Sequence, residues 1–260
     1  MTFLTIFGTI IAAAILGGGS AGLLGVFVVG LRMPFITVFA AHAALAGAVF
    51  GVLVGMDPGL SGFLGALSGA IVLGILLKNK KEDPNAAMGT LFSLMLGIAF
   101  LGIGLNKGPK SPILSLLWGS LLFVTSRQLL LMAILAGLLI CFVVFFYNEL
   151  KALMFSRELA ALVIPEWLIL NLLLILSAGI ITINLEIVGG LMLYSLISNP
   201  AVAAARLAHS FRQALILSSF FGALSALGGF LTAYWLNLPV GACIVLFSSM
   251  IVGISIIISK

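Results

Sequence analysis

His42 is the side chain in this sequence best placed to do chemistry, and it is one of only two histidines among 260 residues. It lies inside Arg32–Gly55, an apolar run long enough to form a helix. A titratable, metal-binding group is unfavourable in hydrocarbon, so it is by default a functional candidate there. Neutral imidazole is a common ligand for zinc, manganese and similar ions. A neutral histidine hydrogen-bonded to a neighbouring helix is the alternative, and the residues alone leave both open.

The helix around His42 is predicted to have two different faces. At about 100° per residue, one face holds positions 38, 42, 46 and 49. Glycines follow at every fourth residue, at positions 47, 51 and 55, and this stripe starts roughly 140° away. Small residues let helix backbones approach closely in a membrane. The pattern therefore predicts one face that packs and one that lines a path.

The composition requires a membrane around these helices. The chain is 63% hydrophobic and 7% charged, with a mean hydropathy of +1.36, whereas soluble domains carry roughly 25% charged residues. Its continuous apolar runs are long enough to span as helices, which need about 20 residues. The net charge of +5 does not indicate nucleic-acid binding, because the basic residues are scattered between the runs, where they set orientation.

We predict one all-α transmembrane domain covering residues 1–260, with about nine spans (eight or nine). The predicted spans are 3–31, 35–55, 60–77, 87–104, 129–149, 167–184, 186–206, 212–236 and 240–258. The intervening stretch 105–128 is too short and broken for a further span with its loops. It favours a short re-entrant or interfacial helix near 112–122.

The distribution of basic residues predicts the orientation. Nine of the 12 Lys and Arg residues fall inside the cell if the loops after the odd-numbered spans are cytoplasmic. The N-terminus is then outside and the C-terminus inside.

Few other residues have the character of a site. The sequence contains no GxxxxGK[ST] phosphate loop, so we expect that the chain does not itself hydrolyse ATP by that route, and we expect no permanently bound cofactor. HExxH, GxSxG and paired-carboxylate patterns are also missing from the sequence, which argues against an enzyme. Glu186 is a weaker metal candidate, because it is predicted to open a span on the outer side.

One cytoplasmic piece is amphipathic, LKALMFSRELAALVIPEW at 150–167. Arg157 and Glu158 lead into Leu159, Ala160, Ala161 and Leu162, and Pro165 ends the segment. Such a helix between two spans either anchors at the interface or docks into a groove on a soluble partner.

Five stretches of the chain resemble, in the expected order, the integral permeases of prokaryotic ABC importers for zinc, manganese and ferrous iron. They are GLLGVFVVGLRM (22–33), HAALAGAVFG (42–51), SRELAALVIP (156–165), EIVGGLMLYSLISNPAVAAARL (186–207) and GALSALGGFLTAYWLNLPVGACIVL (222–246). The last two are the most specific, since they are similar to the family's PAATARL and LPSGATIVL.

This resemblance implies a homodimer in the prokaryotic cell membrane that moves divalent metal by alternating access. A cytoplasmic ATPase would dock under each copy, and an extracytoplasmic binding protein would deliver the ion. The segment 156–165 matches the family's coupling helix, which implies ATPase coupling by Arg157, Glu158, Leu159, Ala160, Ala161 and Leu162. His42 matches a histidine of the family's metal path.

The chain departs from the family where the substrate would be chosen. The family usually has an aspartate four residues before the histidine, and Val38 stands there. Trp118-Gly119-Ser120 likewise lacks the acid of the family's FGD-like turn, and Val163 replaces a usual glycine. A site without the carboxylate should bind a hard divalent cation poorly.

Three alternatives therefore remain. In the first, the same permease fold carries a chelated metal or another small solute. An ion-coupled secondary transporter would show inverted repeats, and the two halves show no convincing repeat. A structural membrane subunit is the last alternative.

Overall fold

The computed structural model describes residues 3–78, 83–106, 121 and 124–259. These residues form eleven helices, with no strand among them. In chain order they are α1 Phe3–Gly30, α2 Phe35–Leu53, α3 Pro58–Leu77, α4 Pro84–Leu105, α5 Ser126–Phe145, α6 Tyr147–Phe155, α7 Arg157–Ala160, α8 Glu166–Val188, α9 Gly190–Leu207, α10 Phe211–Leu236 and α11 Val240–Ile258. The predicted all-helical bundle is confirmed. The helix predicted near 112–122 lies outside the described residues, apart from Leu121.

Nine of the described helices are long, and they correspond to the nine predicted spans. Eight of them, all but α9, are long and apolar enough to cross a membrane. The hydropathy of α9 is lower because it contains Asn199, Pro200 and Arg206. It is nevertheless an integral part of the bundle, packed against α1, α10 and α11.

Two predicted boundaries were wrong. The fifth span ends at Phe145 rather than 149, because Phe146 leaves helical geometry and α6 starts a separate helix. The sixth span continues to Val188, where Gly189 with φ +94° ends it. A positive φ costs glycine little, so the break falls there. Glu186 therefore lies in the last turn of α8 and does not open the next span.

Small residues bring pairs of long helices into backbone contact. On α1, a Cβ at Gly18 would meet Ala226 of α10, and the Ser218 hydroxyl of α10 donates to the Gly22 carbonyl. A Cβ at Gly47 of α2 would lie 2.7 Å from the Cα of Gly65 on α3. The packing role predicted for the glycine stripe of α2 is confirmed at Gly47.

The third glycine of the α2 stripe has a different role. Gly55 has φ +76°, and no atom lies within 4 Å of the position a Cβ would take. It forms the turn after α2 and contributes nothing to the contact with α3.

The two ends of the bundle differ in charge. One end, here called the Arg157 end, holds α6, α7 and the turns after α1, α3 and α9. The opposite end, here called the Asp57 end, holds the turns after α2, α8 and α10. Among the basic residues that the structure describes, Arg127 lies at the Asp57 end, and the Arg157 end holds Arg32, Lys78, Lys151, Arg157, Arg206 and Arg212.

Candidate functional site

Backbone geometry at both ends of α2 sets the position of His42. Arg32, with φ +56°, turns the chain out of α1, and Pro34 precedes the first residue of α2. The close contact of Gly47 with α3 then fixes the rotation of α2 about its axis. His42 lies near the middle of this 19-residue helix.

The His42 ring lies between its own helix and α4. Its Nδ1 is 2.8 Å from the carbonyl oxygen of Val38, one turn earlier. The ring also meets Phe92 of α4 edge-on, with centroids 4.7 Å apart and planes at 87°. The predicted path-lining face of α2 is therefore partly covered by α4, and His42 is partly buried.

The hydrogen bond to Val38 decides which ring nitrogen is available to a ligand. A carbonyl oxygen only accepts, so Nδ1 carries the proton. Nε2 is then the lone-pair nitrogen of the neutral ring. Histidines that bind metal commonly donate their other N–H to a backbone carbonyl or carboxylate, which fixes the ring. The His42 geometry therefore suits Nε2 as a ligand.

The described residues do not place His42 in a preformed metal cage. In the described part of the chain, no group of three or more His, Cys, Asp or Glu residues is placed to hold a metal ion. Val38 gives the ring a backbone acceptor, but its side chain supplies no charge. The arrangement can offer one neutral nitrogen to a passing ion, with water or carrier ligands completing its coordination.

A cavity of about 560 Å³ opens at the Asp57 end between α3, α5 and α8. Its polar lining includes Asp57, Thr125, Arg127 and Thr182, and His42 is not among its lining residues. Asp57 also accepts a hydrogen bond from the Leu60 N–H, so it caps α3. The side chain of Glu186, the weaker candidate, lies outside the described part of the molecule.

The segment predicted as a coupling helix at 156–165 is only briefly helical. Ser156 accepts a hydrogen bond from the Leu159 N–H and starts α7, which ends at Ala160. Turns follow to Ile164. Pro165 disfavours helical geometry at Ile164, so the segment does not continue as a helix into α8.

This segment presents apolar side chains at the Arg157 end of the bundle. Leu159, Leu162 and Val163 are 56%, 81% and 85% exposed, and Phe155 just before α7 is 84% exposed. We call these four residues the α7 patch. Glu158 is exposed beside them, whereas Ala160 is buried and Ala161 partly buried. Exposed apolar residues gathered at one point indicate an interaction surface.

Arg157 does not belong to this exposed surface. Its Nη2 lies 2.6 Å, and its Nε 2.8 Å, from Oε1 of Glu166 at the start of α8. The two adjacent residues Arg157 and Glu158, which sequence reasoning treated alike, therefore have different surroundings.

Sequence reasoning missed three residues at this end, namely Glu166, Trp167 and Asn171. The Trp167 Nε1–H donates to the Gly74 carbonyl at 3.1 Å, and the Asn171 amide donates to the Trp167 carbonyl at 2.7 Å. A Glu-Trp pair directly after a proline at the start of a span was the available signal. Tryptophans at such positions are usually taken for interface anchors.

The chain has clear relatives. The profile of the ABC 3 transport family matches residues 3–259. An uncharacterized membrane protein, slr2045 of Synechocystis, is 30% identical over 247 residues, covering 95% of this chain and 88% of that protein. The manganese transport system membrane protein MntC of Listeria monocytogenes is 25% identical over 232 residues, which cover 89% of this chain and 82% of that protein.

A solved structure shares the fold. PsaBC from Streptococcus pneumoniae, in complex with Fab, contains a chain that superposes with a TM-score of 0.83 at 24% identity. The match covers 96% of this chain and 90% of that one. The bundle described above is thus a known arrangement of transmembrane helices.

Proposed function

This chain belongs to the ABC 3 transport family, and on that premise we propose that it is the membrane permease of an ATP-driven metal importer. The α7 patch carries the proposal. It is an apolar surface on a short connecting helix at the basic end of the bundle, which suits the docking of a soluble ATPase. The permease itself performs no chemistry.

The Arg157 end faces the cytoplasm in this proposal, and the Asp57 end faces outward. The described basic residues favour this orientation, because six of the seven lie at the Arg157 end and cytoplasmic loops carry an excess of Lys and Arg. An extracytoplasmic binding protein delivers the substrate, and a second copy of the chain completes the transporter. ATP-driven movement of the docked ATPases switches the dimer between outward and inward access.

The proposed cargo is a divalent transition metal, as in the manganese system of the Listeria relative. His42 Nε2 is the ligand that meets it. A single neutral imidazole favours borderline ions such as Zn²⁺ over hard ones, since hard cations prefer carboxylate oxygens. A weak, single-ligand contact also suits transport, because a site along a path must release what it binds.

A second candidate keeps the permease and changes the cargo. Val38, in the place of the family's aspartate, leaves the His42 face without charge. A chelated metal or another small solute brings its own ligands and does not need a protein carboxylate.

ATP-dependent uptake into proteoliposomes tests the proposal. The permease is reconstituted with its ATPase and binding protein, and zinc, manganese and ferrous iron are offered separately. We expect ATP-dependent uptake of one of these ions. An assembly that hydrolyses ATP and accumulates none of them would contradict metal as the cargo and favour the second candidate.

A further inference from the structure

The first turn of α8 is bonded to two other elements at once. Glu166 binds Arg157 of α7, and Trp167 binds Gly74 of α3. These consecutive residues therefore join the segment that carries the α7 patch to a long helix of the bundle.

The bond to α7 is a partly buried ion pair. The side chain of Glu166 is 8% exposed and that of Arg157 is 27% exposed, and two of the three guanidinium nitrogens, Nη2 and Nε, lie within bonding distance of Oε1 of Glu166. Glu166 also occupies the first position of α8, where the helix dipole favours a negative charge. Charge-assisted bonds are among the strongest that side chains make, so α7 is held to α8 across the turn at Pro165.

The bond to α3 satisfies a free helix end. Gly74 lies in the last turn of α3, where carbonyl groups lack partners within the helix. The Trp167 indole N–H supplies one, and the Lys78 ammonium lies 5.1 Å from the centre of the same ring. The Asn171 amide occupies the space that a side chain at Gly74 would need.

The chain of contacts continues to the helix that carries His42. At its other end, α3 packs on α2 through the close approach of Gly65 to Gly47 and of Ser61 to Gly51. Rigid packed elements of this kind transmit displacement, provided that the whole set moves between two states.

We propose that the Arg157–Glu166 ion pair and the Trp167–Gly74 hydrogen bond form a latch that makes α7, the start of α8 and the end of α3 move as one body. Through it, a displacement of the α7 patch reaches α3 and then α2. The proposal rests on the proposed function, because it takes the docked ATPase as the source of the displacement. Arg157, Glu166 and Trp167 are positioning residues that touch neither ATP nor cargo.

Trp167→Phe is the decisive variant. It retains an aromatic ring for packing and for Lys78, but it removes the N–H that binds Gly74. The matched control is Trp235→Phe, at the Asp57 end, where the side chain is 77% exposed. Gly74→Ala perturbs the same contact between α3 and α8 in a different way, because the added methyl group would displace the Asn171 side chain.

The first readout needs neither cargo nor ATPase. Spin labels are placed on Leu159 of α7 and Leu76 of α3, both exposed, after Cys141 and Cys243 have been replaced by serine. We expect a narrow distance distribution that broadens in Trp167→Phe and stays unchanged in Trp235→Phe. The same distribution in Trp167→Phe as in the wild type would overturn the latch.

The second readout is the number of ATP molecules hydrolysed per ion transported. We expect this ratio to rise about fivefold in Trp167→Phe, which corresponds to the net effect of one hydrogen bond, with ATPase binding unchanged. Arg157→Gln, Glu166→Gln and their double variant should raise it equally, because each breaks the same pair. Additive effects would contradict a shared latch.

The two readouts separate failure of the latch from failure of the proposed function. A wild-type assembly that shows the narrow distribution but no ATP-driven uptake contradicts the proposed function and leaves the mechanical link standing. Uptake with a normal ATP ratio in Trp167→Phe contradicts the latch and leaves the importer standing.

Discussion

Polar side chains find their bonding partners differently on the α2 face that carries His42 and at the Arg157 end of the bundle. On α2, one imidazole bonds to the backbone of its own helix and is partly covered by Phe92. At the Arg157 end, Arg157 of α7 and Glu166 of α8 form an ion pair, and the Trp167 side chain of α8 donates to the Gly74 backbone carbonyl of α3.

Membrane depth explains this difference. Each polar group in the hydrocarbon region is costly, so a single ring with a hydrogen-bond partner in its own helix is tolerated there more readily than a cluster of polar groups. At the end of the bundle water lowers that cost, and several groups can cooperate. The substrate would thus be chosen by very few side chains, whereas the movement would be carried by many.

His42→Ala is expected to have the largest effect. Uptake should fall about 10- to 100-fold, as for a residue of a metal site, while the free energy of unfolding changes by about 1 kcal/mol or less, because the lost bond lies within one helix. His209→Ala, at the exposed second histidine, is the control and should transport normally. Full uptake by His42→Ala would show that the His42 ring does not contact the ion during transport.

Leu162→Glu should come next, because it places a charge in the centre of the α7 patch. We expect the affinity for the ATPase to fall about 30-fold, as at an interface hot spot. Leu238→Glu is the control, since this leucine is 49% exposed in a turn at the Asp57 end. Binding of the ATPase to nanodiscs measures both, and equal affinities would show that the docking surface lies elsewhere.

Val38→Asp tests the uncharged character of the His42 face. The substitution puts a carboxylate one helical turn before the imidazole, and the bond from Nδ1 to the Val38 backbone can persist. We expect the KM for manganese uptake to fall about tenfold, since added ligand charge favours hard cations. Val38→Asn, which is polar without a charge, separates charge from size. If neither variant changed the KM, the face of α2 that carries Val38 and His42 would not contact the transported ion.

Glu158→Gln should have the smallest effect. Glu158 is exposed at the rim of the α7 patch, and a rim charge mainly changes the rate of association. We expect about a twofold slower association with the ATPase and a normal number of ATP molecules per ion, measured by stopped-flow mixing and uptake. Arg157→Gln should leave the rate of association with the ATPase unchanged and raise the number of ATP molecules used per ion. If the two variants changed the same quantity, the different roles inferred from their surroundings would be contradicted.

The fold could be predicted from the sequence because apolar length and small-residue spacing are local signals. The nine long helices follow continuous apolar runs, and Gly18, Gly22, Gly47 and Gly65 lie at helix contacts. The two wrong boundaries fall at Phe146 and Gly189, where the apolar run continues although the helix does not.

The site could be predicted only in part. His42 could be proposed as a site residue because a histidine in an apolar run is conspicuous, and its role in transport stays a prediction. Its contact with Phe92 depends on how α4 packs, 50 residues further along. The bond between Trp167 and Gly74 joins residues 93 positions apart. Every residue has a backbone carbonyl, so the sequence does not indicate which one accepts a hydrogen bond.

The most direct test of the account measures metal uptake and ATP hydrolysis in the same proteoliposomes, with zinc and manganese in competition, for His42→Ala and Trp167→Phe. We predict that His42→Ala lowers uptake and changes the preference between the ions, whereas Trp167→Phe raises the ATP used per ion and keeps the preference. The account would be contradicted if both variants changed the preference between zinc and manganese, or if both changed only the ATP used per ion. In either case the choice of substrate and the transmission of movement would not depend on different residues.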